Sequence, residues 1–281
     1  MRSSLEIYDL AAGQSRVLWQ TDDLIEAPNW HPDGWLLVNR DGRLLRVQLD
    51  SGAVTVIDTG DVVACNNDHG FSPDGGHIYL SSHVSGASTI YRVPAAGGQP
   101  QQVVPDVPSY WHGVSPDGIE IAYCARRGTR YEICVMRQAE RRVTGRTADE
   151  GHNDGPDYSA CGTWIWFNSD RSGHAQIWRM RRDGGDVQRM VVSETVDWFP
   201  HPSPDGAHVL YLAFPQGTQF HPRDRQVQLR LMPQQGGESR PLLDLFGGQG
   251  TINVPCWAPD GSAFAYVRYA AVDIDPQGEG T

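Results

Sequence analysis

The sequence predicts an all-β fold, a six-bladed β-propeller with four antiparallel strands in each blade. The main observation is a turn pentad, which reads Phe-Ser-Pro-Asp-Gly at residues 71–75 and recurs in close variants. The spacings between the final glycines of successive pentads are 41, 43, 44, 44 and 55 residues. A nearly fixed period of this size, with strand-like segments inside each unit, is typical of a propeller. The six final glycines are Gly34, Gly75, Gly118, Gly162, Gly206 and Gly261.

The second unit shows how one blade is encoded. Its pentad combines a proline, which suits a type I turn, with a glycine, which permits positive φ, and therefore predicts a tight turn between two strands. The apolar run at 78–80 predicts the second strand, and a polar loop follows at 81–88. Residues 89–93 alternate as a third strand, and after a Gly-Gly turn residues 102–104 complete the blade.

The order of the units predicts how the ring closes. A third-strand segment precedes the first pentad, and none follows the last one. We therefore expect residues 5–10 and 15–19 to supply the outer strands of the blade that begins within residues 253–269. Pairing the two ends of the chain hides strand edges that would otherwise be exposed. The six third-strand segments are 5–10, 44–49, 89–93, 132–137, 176–181 and 227–232.

The six units use nearly all of the 281 residues, so we expect a single domain over 1–281. In this interpretation the ring covers about 5–269, and residues 270–281 form a C-terminal tail. The net charge is −11, and all 23 basic residues are arginine. An acidic chain without a basic run disfavours nucleic acid and anionic membranes as partners.

Several features favour a cytoplasmic monomer. No apolar run approaches the roughly 18 residues of a transmembrane helix, and the segment from Met1 to Glu6 lacks an apolar signal core. The five cysteines are scattered without Cys-x-x-Cys spacing. Their odd number favours reduced thiols.

The pentads, together with Ser-Asp-Arg-Ser-Gly at 169–173 and Gln-Ile-Trp-Arg-Met at 176–180, resemble the propeller repeats of the TolB family. The resemblance covers about residues 5–269 and implies a propeller. It does not imply one function, since such propellers occur in binding proteins, peptidase accessory domains and carbohydrate lyases. No Gly-x-Ser-x-Gly motif is present, which disfavours a peptidase. Because the repeats fill the chain, we expect no separate N-terminal domain of the TolB type.

The candidate site lies in the segments that precede the pentads. In a propeller these segments line the central channel, and they open on the same face as the loops between second and third strands. They contain four of the ten histidines, His69, His112, His152 and His201. His69 and His112 lie six residues before their pentad glycines and His201 lies five before its own, which predicts similar depths around the axis. His83 and His221 are expected to approach from the same face.

Three interpretations of these histidines remain open. They can cap backbone groups and pack between blades, or hold a divalent metal, or line a pocket for a sugar or peptide. The metal interpretation uses His69, His112 and His201 as ligands for Mn, Fe, Ni, Zn or Ca. The pocket interpretation has these ligand-binding candidates: Asn67, Asp68, Tyr110, Trp111, His152, Asp154, Trp198 and His221. No catalytic residue is assigned; the candidates are His69, His112, His201 and Arg223.

The last spacing is longer because of about eleven extra residues at 215–225, which begin at Pro215 and end at Arg225. This insertion lies between a second and a third strand, and we therefore expect it on the histidine face, either as a functional cover over the pocket or as a loop lengthened by neutral drift. If it is a cover, it would place four side chains over the pocket, where they could meet a carboxylate: Phe220, His221, Arg223 and Arg225.

We expect a TolB-like propeller that binds a small ligand, a carbohydrate or a peptide, at the histidine-rich channel mouth. The first alternative is a metal- or histidine-dependent lyase acting on acidic saccharides, because oligogalacturonate lyases are also propellers with a histidine-held metal. Such a lyase would need a base and a group that neutralises the uronate carboxylate. The second alternative is a scaffold for a protein partner.

Overall fold

The repeats fold into antiparallel sheets arranged around a central channel, in a computed structural model that describes residues 2–147 and 151–270. The sheets form six blades, five with four strands and one with three strands. In chain order the strands are β1 (Arg2–Asp9), β2 (Gln14–Thr21), β3 (Ile25–His31), β4 (Trp35–Arg40), β5 (Arg43–Gln48), β6 (Val54–Val56), β7 (Cys65–Phe71), β8 (His77–Ser82), β9 (Thr89–Pro94), β10 (Gln101–Gln102), β11 (Ser109–Val114), β12 (Glu120–Arg127), β13 (Arg130–Arg137), β14 (Arg142–Gly145), β15 (Asn153–Tyr158), β16 (Trp164–Ser169), β17 (Gln176–Arg181), β18 (Gln188–Arg189), β19 (Val196–Pro202), β20 (His208–Phe214), β21 (Arg225–Pro233), β22 (Arg240–Gly247) and β23 (Ala263–Ala270). A short 3₁₀ turn lies at Gln249–Thr251.

Blades 1 to 5 each use four consecutive strands, starting with β3, β7, β11, β15 and β19 as the innermost strand. Blade 6 combines β23 with β1 and β2, in the order β2-β1-β23. The predicted six-bladed propeller is therefore confirmed.

The pentads form the predicted tight turns. In blade 2 the amide of Gly75 donates to the Ser72 carbonyl at 2.8 Å, and Gly75 adopts φ of 70°. The Asp74 carboxylate accepts from the Ser72 hydroxyl at 2.5 Å and from the Gly76 amide at 3.0 Å. Glycine suits this position because other residues rarely adopt positive φ.

The two ends of the chain close the ring, as predicted. Strand β1 pairs with β23 along its whole length, so that Leu5 lies opposite Val267. The Glu6 carboxylate also accepts a hydrogen bond from the Arg268 guanidinium at 3.0 Å and contacts the Tyr266 hydroxyl. This closure removes two sheet edges.

The innermost position of blade 6 differs from the other blades, because it is held by an isolated bridge between Trp257 and Phe264 rather than by a full strand. The Ala265 amide also donates to the Cys256 carbonyl at 2.9 Å. Pro255 has no amide hydrogen and cannot extend the ladder.

The apolar core of the described residues is divided into six clusters, each of which lies mainly between two consecutive blades. Trp35 and Ile78 belong to the cluster between blades 1 and 2, and Leu5 and Leu36 to the one between blades 6 and 1. Because each blade buries its faces against its neighbours, the stability of the ring depends on the interfaces between neighbouring blades.

Within the part of the chain that the structure describes, no helix is long and apolar enough to cross a membrane. The cytoplasmic location stays a prediction. The five cysteines are all free thiols.

Candidate functional site

The innermost strands of blades 1 to 5 are each interrupted by a bulge. In β11, Trp111 and Gly113 pair with the adjacent residues Tyr123 and Ala122, so His112 has no partner across the strands. Bulges turn side chains out of the regular alternation and are common beside functional sites. The five interruptions lie between Glu26 and Asn29, Cys65 and His69, Trp111 and Gly113, Asp154 and Asp157, and Trp198 and His201.

Polar residues that follow the bulges form a buried layer inside the channel, here called the buried channel layer (Asn29, His69, Asp157 and His201). His69 Nδ1 donates to Asn29 Oδ1 at 2.7 Å, and Asn29 Nδ2 donates to the Pro255 carbonyl at 2.9 Å. Burial lowers the pKa of His69 to about 3, so its ring is neutral. These contacts connect blades 1, 2 and 6.

His201 makes the second set of contacts in this layer. Its Nδ1 lies 3.0 Å from Asp157 Oδ2, and its Nε2 donates to the Ile252 carbonyl at 2.7 Å. Burial raises the pKa of Asp157, and the hydrogen bond with His201 opposes that rise. Both ring nitrogens of His201 are therefore engaged in holding blades together.

On the other side of the bulges the channel opens into a cavity of about 550 Å³, here called the mouth cavity. Pockets for small molecules typically measure about 300–1,000 Å³. Its lining includes polar and aromatic side chains: Glu26, Asn67, Asp68, Tyr110, His112, Tyr131, His152, Asp154, Phe220, His221 and Asn253.

A chain of alternating carboxylates and imidazoles crosses the floor of the mouth cavity. His112 Nε2 lies 3.1 Å from Asp154 Oδ1 and 3.9 Å from Asp68 Oδ1. Asp154 Oδ2 lies 3.8 Å from His221 Nε2. Four groups from four different segments of the chain therefore share one electrostatic environment.

The members of this chain are driven to different protonation states. Burial raises the pKa of Asp68 to about 6, and the nearby Asp154 charge adds to that rise while His112 opposes it. The pKa of Asp154 stays below its ordinary value, because the contact with His112 outweighs burial. The pKa of His112 is raised, because the three nearby aspartates outweigh burial. Burial lowers the pKa of His221. Such divergent environments are typical of functional sites.

A second hydrogen-bonded chain joins blade 1 to Asp68. Asn67 Nδ2 donates to Glu26 Oε1 at 3.3 Å, and Asn253 Nδ2 donates to the Asn67 carbonyl at 3.2 Å and to Asp68 Oδ1 at 2.7 Å. Burial also raises the pKa of Glu26, although Asn67 and Arg223 oppose the rise.

Aromatic rings form an arc in the lining of the mouth cavity. The centroids of Tyr110 and Tyr131 are 5.9 Å apart, and Tyr131 stacks on His152 at 4.5 Å. Phe220 continues the arc at 6.1 Å from His152, with 66% of its surface exposed. The cavity thus has an apolar aromatic side and a polar floor.

The insertion at 215–225 lies on this face, as expected, and places Phe220 and His221 in the cavity lining. It is held against the 3₁₀ turn, because the Gln249 amide donates to the Pro222 carbonyl at 3.3 Å. Gly248 permits this approach: a Cβ there would lie 2.1 Å from the Pro222 carbonyl oxygen, and its φ is 143°. Any side chain at residue 248 would push the insertion away.

Most of the predicted ligand-binding residues line the mouth cavity. These are Asn67, Asp68, Tyr110, His152, Asp154 and His221, together with the catalytic candidate His112 and with His83.

The prediction that His69, His112 and His201 lie at similar depth is wrong. His112 is the extra residue of its bulge and faces the mouth cavity, whereas His69 and His201 follow their bulges and lie in the buried channel layer. Equal sequence offsets from the pentad therefore do not give equal depth, because the bulges insert different numbers of residues at different points.

Three other predicted residues lie outside the lining. Trp111 is buried between blades 2 and 3, with its ring stacked 6.1 Å from Tyr79. Trp198 packs behind the cavity, 4.5 Å from the His221 ring. Arg223 points to its neighbour Asp224 at 3.2 Å and is partly exposed.

The three histidines proposed as metal ligands are not brought together. Among residues 2–147 and 151–270, no group of three His, Cys, Asp or Glu side chains is placed to hold one metal ion. His201 already uses both ring nitrogens, and His69 uses one for Asn29. The described residues therefore do not fit a divalent metal at these positions, and a metal in this protein stays a prediction.

The sequence also contained signals for residues that were not predicted. Glu26 and Asn253 lie two residues before a proline in their pre-pentad segments, as Asp154 does. Ala27 and Gly155, which precede those prolines in blades 1 and 4, share positive φ of 59° and 61°. Tyr131 reaches the cavity because β12 and β13 form a longer hairpin than their counterparts in blade 2.

Comparisons with known proteins agree with this architecture. A family model described as the TolB beta propeller domain matches residues 107–230. The chain is 49% identical over 276 residues to Atu1656 of Agrobacterium fabrum, an uncharacterised protein, and the match covers 97% of this chain and 94% of the relative.

Two solved structures extend the comparison. A protein from Agrobacterium tumefaciens, provisionally described as TolB, superposes with a TM-score of 0.95 at 49% identity, over 97% of this chain and 99% of that one. An oligogalacturonate lyase in complex with manganese superposes with a TM-score of 0.58 at 15% identity, over 95% of this chain and 82% of that one, which shows likeness of fold alone. On this evidence the chain belongs to the TolB-like family of β-propellers.

Proposed function

We propose that this protein binds a small polar ligand, a carbohydrate or a peptide, in the mouth cavity. The observation that carries the proposal is the cavity itself, about 550 Å³ in volume, whose lining combines aromatic rings with converging polar groups. Small-molecule sites typically combine apolar and aromatic walls with a few converging polar groups, some with shifted pKa values.

The geometry favours binding over lyase chemistry on an acidic saccharide. A lyase of that kind must neutralise the carboxylate of its substrate. The described lining contains the carboxylates of Glu26, Asp41, Asp68 and Asp154 but no arginine, and the chain contains no lysine. An anionic sugar would therefore meet repulsion from these carboxylates, and the described residues that line the cavity supply neither three grouped metal ligands nor an arginine for the lyase alternative.

Titration calorimetry with a panel of neutral oligosaccharides and short peptides tests the proposal. The matched variants are Tyr131→Ala, which removes a ring from the cavity, and Tyr91→Ala, which removes a partly buried ring from blade 2 outside it. We expect at least one compound to bind the wild type and Tyr91→Ala with similar affinity. The same compound should bind Tyr131→Ala at least several-fold more weakly. Equal binding to both variants would contradict the site, and no binding from the whole panel would favour the protein-interaction scaffold instead.

A further inference from the structure

The amide of Asn253 has one half of its hydrogen-bonding capacity unused. Its Nδ2 donates to Asn67 O and Asp68 Oδ1, while its Oδ1 is buried and finds no partner among the described residues. The residue is only 1% exposed and lies in the lining of the mouth cavity. Its orientation is determined, because a flipped amide would place its oxygen against two acceptors. A buried acceptor without a donor is costly, and a ligand donor would relieve that cost.

Two of the donors on the cavity floor are already engaged. Asn67 Nδ2 is directed to Glu26, and His112 Nε2 is directed to Asp154. The carboxylates of Glu26, Asp68 and Asp154 each retain lone pairs, since a carboxylate has about four acceptor positions. The floor therefore offers free acceptors beside these engaged donors.

Carboxylates outnumber the positive charges around the cavity. Four carboxylates line it, whereas among the described lining histidines it is His112 whose surroundings favour the charged form, and Arg223 acts on Glu26 from outside the lining. The carboxylates of Asp68 and Glu26 are held away from water, which opposes their ionisation unless a positive charge arrives. A neutral hydroxyl could satisfy Asn253 but would leave this charge unbalanced.

The aromatic arc is suited to the same kind of ligand. Tyr110, Tyr131 and Phe220 present rings to the cavity. A cation near the face of an aromatic ring gains attraction, and the gain increases when the cation is removed from water.

We propose that the ligand carries a primary ammonium group, which the mouth cavity holds against Asp68 and Glu26 with Asn253 Oδ1 as a third acceptor. The three N–H bonds of an ammonium group match three acceptors that belong to one hydrogen-bonded chain. This inference rests on the proposed function and specifies the ligand chemistry. An amino sugar and a peptide amino terminus both supply such a group.

Two matched pairs of probes separate charge from shape and distinguish the two sources. They are glucosamine with N-acetylglucosamine, and trialanine amide with its N-acetyl derivative, each titrated at about pH 7. Hydrogen bonds to charged groups are strong enough that we expect the free amine of at least one pair to bind about tenfold or more tightly than its acetylated partner. The pair that shows the preference identifies the source.

Substitutions locate the ammonium group. Asp68→Asn and Glu26→Gln keep the side-chain shape, and each is expected to reduce the preference for the amine several-fold. Asp61→Asn removes an exposed carboxylate outside the cavity and should leave the preference unchanged. Using two cavity variants keeps the test informative if one of them folds poorly.

The outcomes separate the two proposals. Acetylated probes that bind as tightly as the free amines, with binding lost in Tyr131→Ala, would overturn the ammonium inference and leave the proposed function standing. An amine preference that persists in both Asp68→Asn and Glu26→Gln would also overturn it. Failure of all four probes to bind would overturn the ammonium inference, and the wider panel of neutral compounds then decides the proposed function.

Discussion

The ionised form of Asp68 should lower the free energy of unfolding at neutral pH. Replacing Asp68 with asparagine should show the size of this effect. The carboxyl is buried, and burial raises its pKa from 3.8 to about 6. A raised carboxyl pKa means that the folded state holds the proton more tightly than the unfolded chain does. The charged form therefore costs stability: the cost begins as pH rises above the unfolded pKa near 4 and is complete above about pH 6.

The magnitude follows from the shift. A rise of about two units in the pKa of Asp68 lowers the free energy of unfolding by about 3 kcal/mol at pH 8. About 1 kcal/mol of this cost is already present at pH 4.5. The groups that face Asp68 are His112, Asp154, Asn253 and Glu26, and they remain in the variant. We therefore expect the stability of Asp68→Asn relative to the wild type to rise by about 2 kcal/mol between pH 4.5 and 8.

Urea unfolding, followed by tryptophan fluorescence at several pH values, measures this difference, with the slope m checked for constancy. Asp154→Asn is a control from the same cavity, for which the stability difference should change with pH in the opposite direction. Its carboxyl has a lowered pKa because His112 lies beside it, so its stabilising contribution is present at pH 7 and is lost as pH falls. A stability difference for Asp68→Asn that is flat with pH, or that falls as pH rises, would refute the reasoning.

Three further substitutions separate ring closure, the buried channel layer and the cavity rim. Leu5→Ala should lower the unfolding free energy by about 2–5 kcal/mol, whereas the exposed Val17→Ala should change it by less than about 0.5 kcal/mol; equal effects would contradict the closure of the ring. His201→Ala should cost about 3–5 kcal/mol because it leaves a buried carboxyl unpaired, yet glucosamine titration should give an unchanged affinity; a large loss of affinity would place this residue in the site. Phe220→Ala should leave stability unchanged and weaken glucosamine binding about two- to fivefold through lost cation–π attraction, while Val192→Ala, which removes another exposed apolar side chain but lies outside the cavity, should alter neither; matching effects of the two variants would exclude Phe220 from the ligand contact.

The fold could be predicted because its signals are local and repeated. Each pentad specifies a turn through the chemistry of proline and glycine, and the spacing of Gly75 and Gly118 sets the size of a blade. Ring closure followed from counting, since the segment around Leu5 had no pentad before it and the last pentad had no third strand after it.

The site could be predicted only in part, because depth in the channel depends on the bulges. His69 and His112 have the same offset from their pentad glycines, yet one ends in the buried channel layer and the other in the cavity. A bulge arises from the balance of ladder hydrogen bonds, proline positions and contacts between blades, which no short window of sequence contains. Asn253 also could not be predicted from a short window of sequence, because its partners Asn67 and Asp68 lie more than 180 residues away in the chain.

The bulges also explain how one short strand can serve both stability and binding. Residues after each bulge return to the regular ladder and use their polar groups on neighbouring blades, as His201 does with Asp157. Residues within or just before the bulge face the cavity: His112 has no partner in its ladder, and Glu26 is the last paired residue before its bulge. The residues at positive φ within two of these bulges, Ala27 at 59° and Phe199 at 55°, are not glycines and therefore store backbone strain of about 1–3 kcal/mol each. Strain of this kind persists only where the surrounding structure determines the conformation. The closed ring can therefore hold Asn253 against Asp68 although the buried Asn253 Oδ1 has no partner among the described residues.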